Sequence, residues 1–239
     1  MERKVMDKPK DVLTAVKEQP ETYTPIHKGL RSRLFKASIQ AGKMDCTDEA
    51  ALSELYDEFN SLVASIRIHH TMEENFIHPL LADRVPGGAE KLEEDHHVVD
   101  HLLDNLVAHL DRIRSKPTKF EKRRELTLEF YLAFNRFIAF FLNHIDVEEE
   151  HIRPTLWRLC TVEEVTAAVV KLLASQKPEE GMQNMKMMLS AANPDDLAGI
   201  ITHAKAALPP EAIQAGLQLA ESMLSAREFA ALKAKMGSK

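Results

Sequence analysis

The 239-residue sequence predicts an all-α fold. It contains only 8 glycines and 11 prolines, and these leave long uninterrupted segments that suit helices better than many short strands. Within those segments the apolar residues recur every three or four positions, which is the period of one helical face. Beyond residue 160 the chain becomes rich in alanine, leucine and methionine, in shorter segments separated by prolines. We therefore expect several long helices followed by a smaller helical part.

Four long helices are predicted after an N-terminal extension of residues 1–23. The first begins at Thr24 and Pro25, a capping residue followed by a proline in the first turn. Pro79 and Pro154 are expected to end the second and fourth helices, because proline disrupts a helix interior. The predicted ranges are about 24–42, 47–79, 87–114 and 119–154.

The chain is predicted to divide after residue 158, with 24–158 holding the long helices and 159–239 forming a helical subdomain. Thr161 begins a capped amphipathic helix, and prolines at 178, 194 and 209–210 separate the segments that follow. Three or four shorter helices are expected here. A partner protein that contacts these helices is one expectation for their role.

Charge and composition exclude several classes of protein. The formal net charge of −6, with no face of sustained lysine and arginine, argues against nucleic-acid binding. No window approaches the roughly 18 consecutive apolar residues of a membrane span. The two cysteines cannot form a disulfide framework, and the first residues do not resemble a signal peptide, so we expect a cytoplasmic protein. The chain also shows no nucleophile triad and no glycine-rich phosphate loop.

Two related stretches carry the chemistry. HHTMEENFIHP and HIDVEEEHIRP each place a histidine and a glutamate four positions apart, His69 with Glu73 and His144 with Glu148. Residues at this spacing lie one turn apart on the same helical face, and both pairs continue an apolar stripe. A glutamate buried among phenylalanine and leucine would be costly unless a cation compensates its charge. Each pair is therefore predicted to bind metal.

The other two long helices each add one histidine in the apolar register, His27 and His96. Together the helices offer four imidazoles and two carboxylates. This mixture suits iron, manganese or zinc better than calcium or magnesium. Because each carboxylate can bridge two ions, the set fits a dinuclear centre.

Several neighbouring residues stay open as alternatives. Alignment of the two stretches favours His69 over its neighbour His70, because His69 matches His144. Glu149 and Glu150 are interpreted as solvated or salt-bridged, or as contacts that orient the ligand histidines. His78 and His151 are predicted to lie at the surface. The alternative or additional metal ligands are His70, Glu74, His97 and His101.

The order H, HxxxE, H, HxxxE on successive helices resembles the hemerythrin-like family, the HHE cation-binding domain, over about residues 24–157. This resemblance implies an up-down four-helix bundle around a non-haem di-iron centre. It further implies that Glu73 and Glu148 bridge the two iron ions. The terminal ligands it implies are His27, His69, His96 and His144.

The expected function is to bind or sense O2, NO or a related small ligand at this centre, in a metal-binding protein rather than an enzyme. His144-x3-Glu148 stands where the oxygen carriers of the family have His-x4-Asp, which argues against reversible oxygen storage. Two alternatives remain: a di-iron oxidase, oxygenase or peroxide-using enzyme, and an iron storage or homeostasis protein. Manganese or zinc could replace iron in any of them.

Overall fold

The structure, a computed structural model, describes residues 20–115 and 119–237. In these two ranges every regular element is helical, so the all-α prediction is confirmed. Most of the predicted N-terminal extension, residues 1–19, lies outside the described residues. None of the described helices is long and apolar enough to cross a membrane.

The first part of the chain forms a four-helix bundle. Each long helix packs against the next one along the chain, and the fourth returns to pack against the first. Asp48 caps the second long helix, because its side chain accepts hydrogen bonds from the backbone N–H groups of Ala50 and Ala51. The helices are α1 (Thr24–Lys43), α2 (Glu49–Met72), α3 (His78–Ala82), α4 (Glu90–Arg114), α5 (Phe120–Val147) and α6 (Arg153–Leu159).

Two π turns, Glu73–Ile77 and Glu148–Ile152, join α2 to α3 and α5 to α6. In each, a backbone N–H donates to the carbonyl five residues earlier, His78 to Glu73 and Arg153 to Glu148. The prediction that Pro79 and Pro154 end their helices is therefore wrong. A proline collides with the carbonyl four residues before it, and the wider turn lets the chain pass that point and stay helical.

Aromatic side chains fill the bundle below the ionisable residues. Phe130, Phe134, Phe137 and Phe141 stack along α5 with ring centroids 5.8 to 6.3 Å apart. Phe59 of α2 meets Phe130 edge to face at 5.5 Å. All five rings are buried, so a solid apolar core supports the end of the bundle where α5 reaches the second π turn.

Five further helices follow in the described residues, one more than the largest number expected. Ser225 accounts for the difference, because it and Glu228 form a reciprocal cap that starts a separate last helix. The S-x-x-E spacing of this cap was visible in the sequence. The helices are α7 (Val162–Ser175), α8 (Pro178–Leu189), α9 (Pro194–Ala207), α10 (Pro210–Met223) and α11 (Ala226–Gly237).

The later helices pack directly on α1. Met187 of α8 belongs to the apolar core of the bundle and lies against Gly29, where a Cβ atom would come within 2.5 Å of the Met187 Cγ. Lys28 of α1 forms an ion pair with Asp196 of α9. The division of the chain after residue 158 remains a prediction, but the two parts share a tightly packed contact.

Candidate metal centre

The structure gathers all six predicted ligands at one end of the bundle, where every one of them is 0 to 7% exposed. Four different helices and the two π turns supply them. Both glutamates are the first residues of their π turns, one turn beyond the ligand histidines in the last turns of α2 and α5. The six residues are His27, His69, Glu73, His96, His144 and Glu148.

One half of the site centres on His27 and His69, whose Nε2 atoms lie 3.0 Å apart. The Nε2 of His69 is 3.1 Å from Oε1 of Glu73, and the Nε2 of His27 is 3.4 Å from Oε2 of Glu148. Ligand atoms that share one ion at about 2.0–2.2 Å lie about 3 Å from one another. These four side chains therefore have the spacing of a single coordination sphere.

The other half centres on His96 and His144. The Nε2 of His144 is 3.4 Å from Oε1 of Glu148, and the Nε2 of His96 is 3.5 Å from Oε2 of Glu73. These carboxylate oxygens are not the ones that face the first half. Glu73 and Glu148 thus each direct one oxygen to each pair of histidines.

Burial makes this site electrostatically unusual. Burial, reinforced by a neighbouring carboxylate, raises the pKa of Glu73 and Glu148 well above the usual value. Burial lowers the pKa of His96 to about 4, and burial together with the nearby His96 lowers the pKa of His144 to about 3. The four carboxylate oxygens accept no hydrogen bond from the described residues. The low histidine pKa values keep the imidazoles neutral, which is the form that binds metal, and the raised carboxyl pKa values mean that a bound cation would replace protons on Glu73 and Glu148.

A family model supports the same interpretation. The model of the hemerythrin HHE cation-binding domain matches residues 21–156, which is more than half of the chain. The chain belongs to the hemerythrin HHE cation-binding family. No curated protein and no solved structure gave a significant match. The family resemblance seen in the sequence is therefore confirmed, and its domain carries a cluster of histidines and glutamates suited to cations.

Two further glutamates orient histidines of the HHE domain from outside the cluster. Since a carboxylate can only accept, Nδ1–H of His27 donates to Glu149 at 3.0 Å, which leaves its Nε2 lone pair directed inward. Arg31 holds Glu149 through two hydrogen bonds of 2.9 and 3.0 Å. Burial opposes ionisation of Glu149, but the bonds from His27 and Arg31 lower its pKa to about 2. Glu74 accepts from Nδ1 of His96 at 2.7 Å in the same way.

Two more histidines are buried beside the second half of the site. The ring of His70 stacks on that of His96 with centroids 3.8 Å apart, and the His78 ring lies 5.3 Å from His96. The prediction that His78 lies at the surface is wrong, since it is only 1% exposed. The π turn explains the error, because a turn closed at five residues brings His78 one turn beyond Glu73.

The structure does not bring the other predicted alternatives to the cluster. His97 and His101 lie on the exposed face of α4, because His96, Val99 and Leu103 take the buried face. Glu74 is 40% exposed at its side chain and contacts His96 rather than the other ligands among the described residues. His151 and Glu150 are exposed, as expected.

Besides His78, sequence reasoning missed Tyr23. Its side chain is fully buried, its ring centroid is 5.5 Å from that of His27, and its hydroxyl has no hydrogen-bond partner among the described residues. Burial, and then the charges of Glu148 and Glu73, raise the pKa of Tyr23, so the hydroxyl remains a proton-carrying donor. Its position four residues before His27 was a detectable signal, but the predicted boundary at residue 24 placed Tyr23 in the extension.

Proposed function

We propose that this HHE domain binds two iron ions and uses them to bind O2, NO or a related small ligand, as a sensor. The observation that carries the proposal is the division of the carboxylate oxygens. Each of Glu73 and Glu148 offers one oxygen to the His27 and His69 half and the other to the His96 and His144 half. That arrangement is the one required for two ions bridged by two carboxylates.

The donor set fits iron. Imidazole and carboxylate ligands without thiolates suit iron, with manganese and zinc as alternatives. Two divalent ions would compensate the charge of the buried Glu73 and Glu148 pair, whose oxygens have no other partner among the described residues. His70 and His78 are additional donors that could hold an ion in the His96 and His144 half.

The residues around the centre would favour a small ligand. When bound, the iron supplies a redox-active coordination position for a diatomic molecule. The Tyr23 hydroxyl is a buried donor close to the two carboxylates, and it can donate a hydrogen bond to such a molecule. The six ligand side chains and Tyr23 are 0 to 7% exposed, and a hydrogen bond in such buried surroundings is stronger than one in water.

A sensor also needs a way to report ligand binding, and α1 offers one. His27 lies beside Lys28, which pairs with Asp196 of α9, and Gly29 packs against Met187 of α8. A displacement of His27 on ligand binding would therefore be transmitted to the C-terminal helices through the next two residues, Lys28 and Gly29. These helices are the surface that a protein partner would contact.

Metal analysis is the first test. Protein produced in iron-supplemented medium should contain two iron ions per chain, and His96→Ala should bind the second ion more weakly, because one ligand is lost while His70 and His78 remain beside the site. His97→Ala, one residue further along the same helix on its exposed face, is the matched control and should retain both ions. Wild-type protein that contains no transition metal would refute the proposal.

Ligand binding is the second test. The iron-loaded protein is reduced without air and titrated with NO or O2 under optical spectroscopy. A saturable spectral change with each chain binding one ligand is expected. An unchanged spectrum with both gases would contradict the sensor function while leaving metal binding intact.

An enzymatic role is the second candidate, because one observation favours it: a large apolar cavity reaches His69 and Glu73. An oxidase or oxygenase would consume O2 continuously when an external reductant is added. A sensor would take up O2 only once per centre. Oxygen-electrode measurements distinguish the two.

A further inference from the structure

A cavity of about 540 Å³ lies between the bundle and the C-terminal helices. Its bundle side includes Pro25 and Ile26 of α1, His69 of α2 and the metal-centre residue Glu73. Its opposite side comes from α7 to α10. Pockets of about 300–1,000 Å³ with mostly apolar walls are the usual binding sites of small organic molecules.

Small residues create this space. Ala204 and Ala207 of α9 and Ala212 and Gly216 of α10 face the cavity at helical spacing, where a closed core would have larger side chains. A Cβ atom at Gly216 would meet only the Cε of Met185, at 3.9 Å. The small side chains of α9 and α10 therefore leave the space between these helices and the bundle unfilled.

The charges of the wall indicate what kind of molecule fits. Among the described residues that line the cavity, Glu21 is paired with Arg153 at 3.0 Å and Lys177 with Glu180 at 3.3 Å. The remaining carboxylate, Glu73, faces the metal-binding histidines. Lys177 is the one lysine or arginine among the described wall residues, and its side chain is 77% exposed to solvent, so the buried part of the wall offers no cation to an anionic head group, whose unpaired burial would be costly.

We propose that this cavity binds a neutral, mostly hydrocarbon molecule, one end of which lies next to His69 and Glu73. The wall is mostly apolar, and His69 and Glu73 add polar atoms where the cavity meets the metal centre. The methionines Met182, Met185 and Met188 give that wall an adaptable shape. The site requires only the packing of the C-terminal helices on the bundle, so it does not depend on which metal the centre holds.

The test uses N-phenyl-1-naphthylamine, a neutral probe that fluoresces in apolar surroundings. Wild-type protein should bind it saturably with one probe per chain. Gly216→Leu fills the cavity and should weaken binding by at least about tenfold. Gly181→Leu, which also lines the cavity, should act in the same direction.

Gly199→Leu is the matched control, because it makes the same change on α9 at a position with no atom within 4 Å of the new Cβ. It should bind the probe like wild type. Circular dichroism melts establish that each variant is folded. Absence of saturable binding by wild type, or equal affinity of wild type and both cavity variants, would overturn the proposal.

Displacement of the probe tests the neutral character of the ligand. Decanol should displace it at a lower concentration than decanoate, and the reverse order would overturn the assignment. Metal content is measured in the same samples. A protein without metal that still binds the probe would refute the metal proposal alone, and an iron-loaded protein that does not bind it would refute the cavity proposal alone.

Discussion

The two π turns share a backbone path but carry different side chains. Glu73–Ile77 and Glu148–Ile152 both begin at a buried glutamate and lead into a proline-containing helix. Five residues beyond the glutamate, the first turn has His78, which lies among the histidines of the site. The second has Arg153, which instead forms an ion pair with Glu21.

A second difference follows the ligand histidines themselves. His70 comes after His69 and stacks on His96, whereas the matching position after His144 is the apolar Ile145. His70 and His78 therefore both belong to the first stretch, but they lie beside the half of the site that contains His144 of the second stretch. The internal repeat gives both stretches the same backbone path and one buried glutamate each. The side chains that differ supply additional histidines to the His96 and His144 half, whereas the His27 and His69 half adjoins the cavity.

The largest effect is expected where the two halves meet. Glu148→Gln should lose both ions, because Glu148 directs an oxygen to each half. In metal-free protein the same change should raise the free energy of unfolding by roughly 1–3 kcal/mol, since a neutral amide replaces a buried carboxylate. Metal analysis and urea unfolding measure the two effects. Glu150→Gln, at an exposed site, should leave both unchanged.

Loss of one histidine should affect the halves unequally. His27→Ala should lose one ion, because among the described residues no further histidine nitrogen groups with the donor atoms of His69, Glu73 and Glu148, whereas His70 groups with His96 and His144. His144→Ala should keep a weakened second ion, since His70 lies nearby with ring centroids 5.8 Å apart. The expected fall in its affinity exceeds about 100-fold, because a ligand itself is lost, whereas loss of a contact that only orients a ligand costs about 10- to 100-fold. Equal metal content in the two variants, measured by titration, would show that the asymmetry has no consequence for binding.

Substitution of a glutamate that orients a histidine should reduce metal affinity less than substitution of a ligand. Glu149→Gln should weaken metal binding in the His27 half by about 10- to 100-fold, because it removes a charged acceptor held by Arg31. Glu74→Gln should weaken the other half less, since Glu74 is 40% exposed and solvent can replace it. Competition with a chelator measures both affinities. A larger effect from Glu74→Gln would reverse the proposed order.

The smallest effect is expected at Tyr23. Tyr23→Phe should retain both ions and weaken NO binding by up to about tenfold, the value of one hydrogen bond of about 0.5–1.5 kcal/mol. Stopped-flow measurement of NO release provides the readout. Tyr131→Phe makes the same change on α5, away from the cluster, and should have no effect. Unaltered NO release in Tyr23→Phe would show that the Tyr23 hydroxyl does not bond to the bound ligand.

Local spacing was sufficient to find the six central side chains, since the period of a regular helix places each on a stripe shared with phenylalanine or leucine. The same reasoning failed at His78, where the turn is wider than an α-helical turn. It also failed at Tyr23, where the predicted boundary of the first helix excluded a residue that packs with it. His97 and His101 were kept as alternative ligands, but burial of His96, Val99 and Leu103 turns them to the surface.

The sequence by itself determined the helical fold, the family and the two histidine–glutamate pairs, because helical periodicity and burial of ionisable groups are local properties of the chain. Only the tertiary structure decided which oxygen of Glu73 and Glu148 faces which histidines, how His70 joins His96, and where Ala204 and Gly216 leave a cavity. These features depend on how separate helices rotate and approach one another, and that geometry follows from packing of the whole core rather than from the spacing within any one helix.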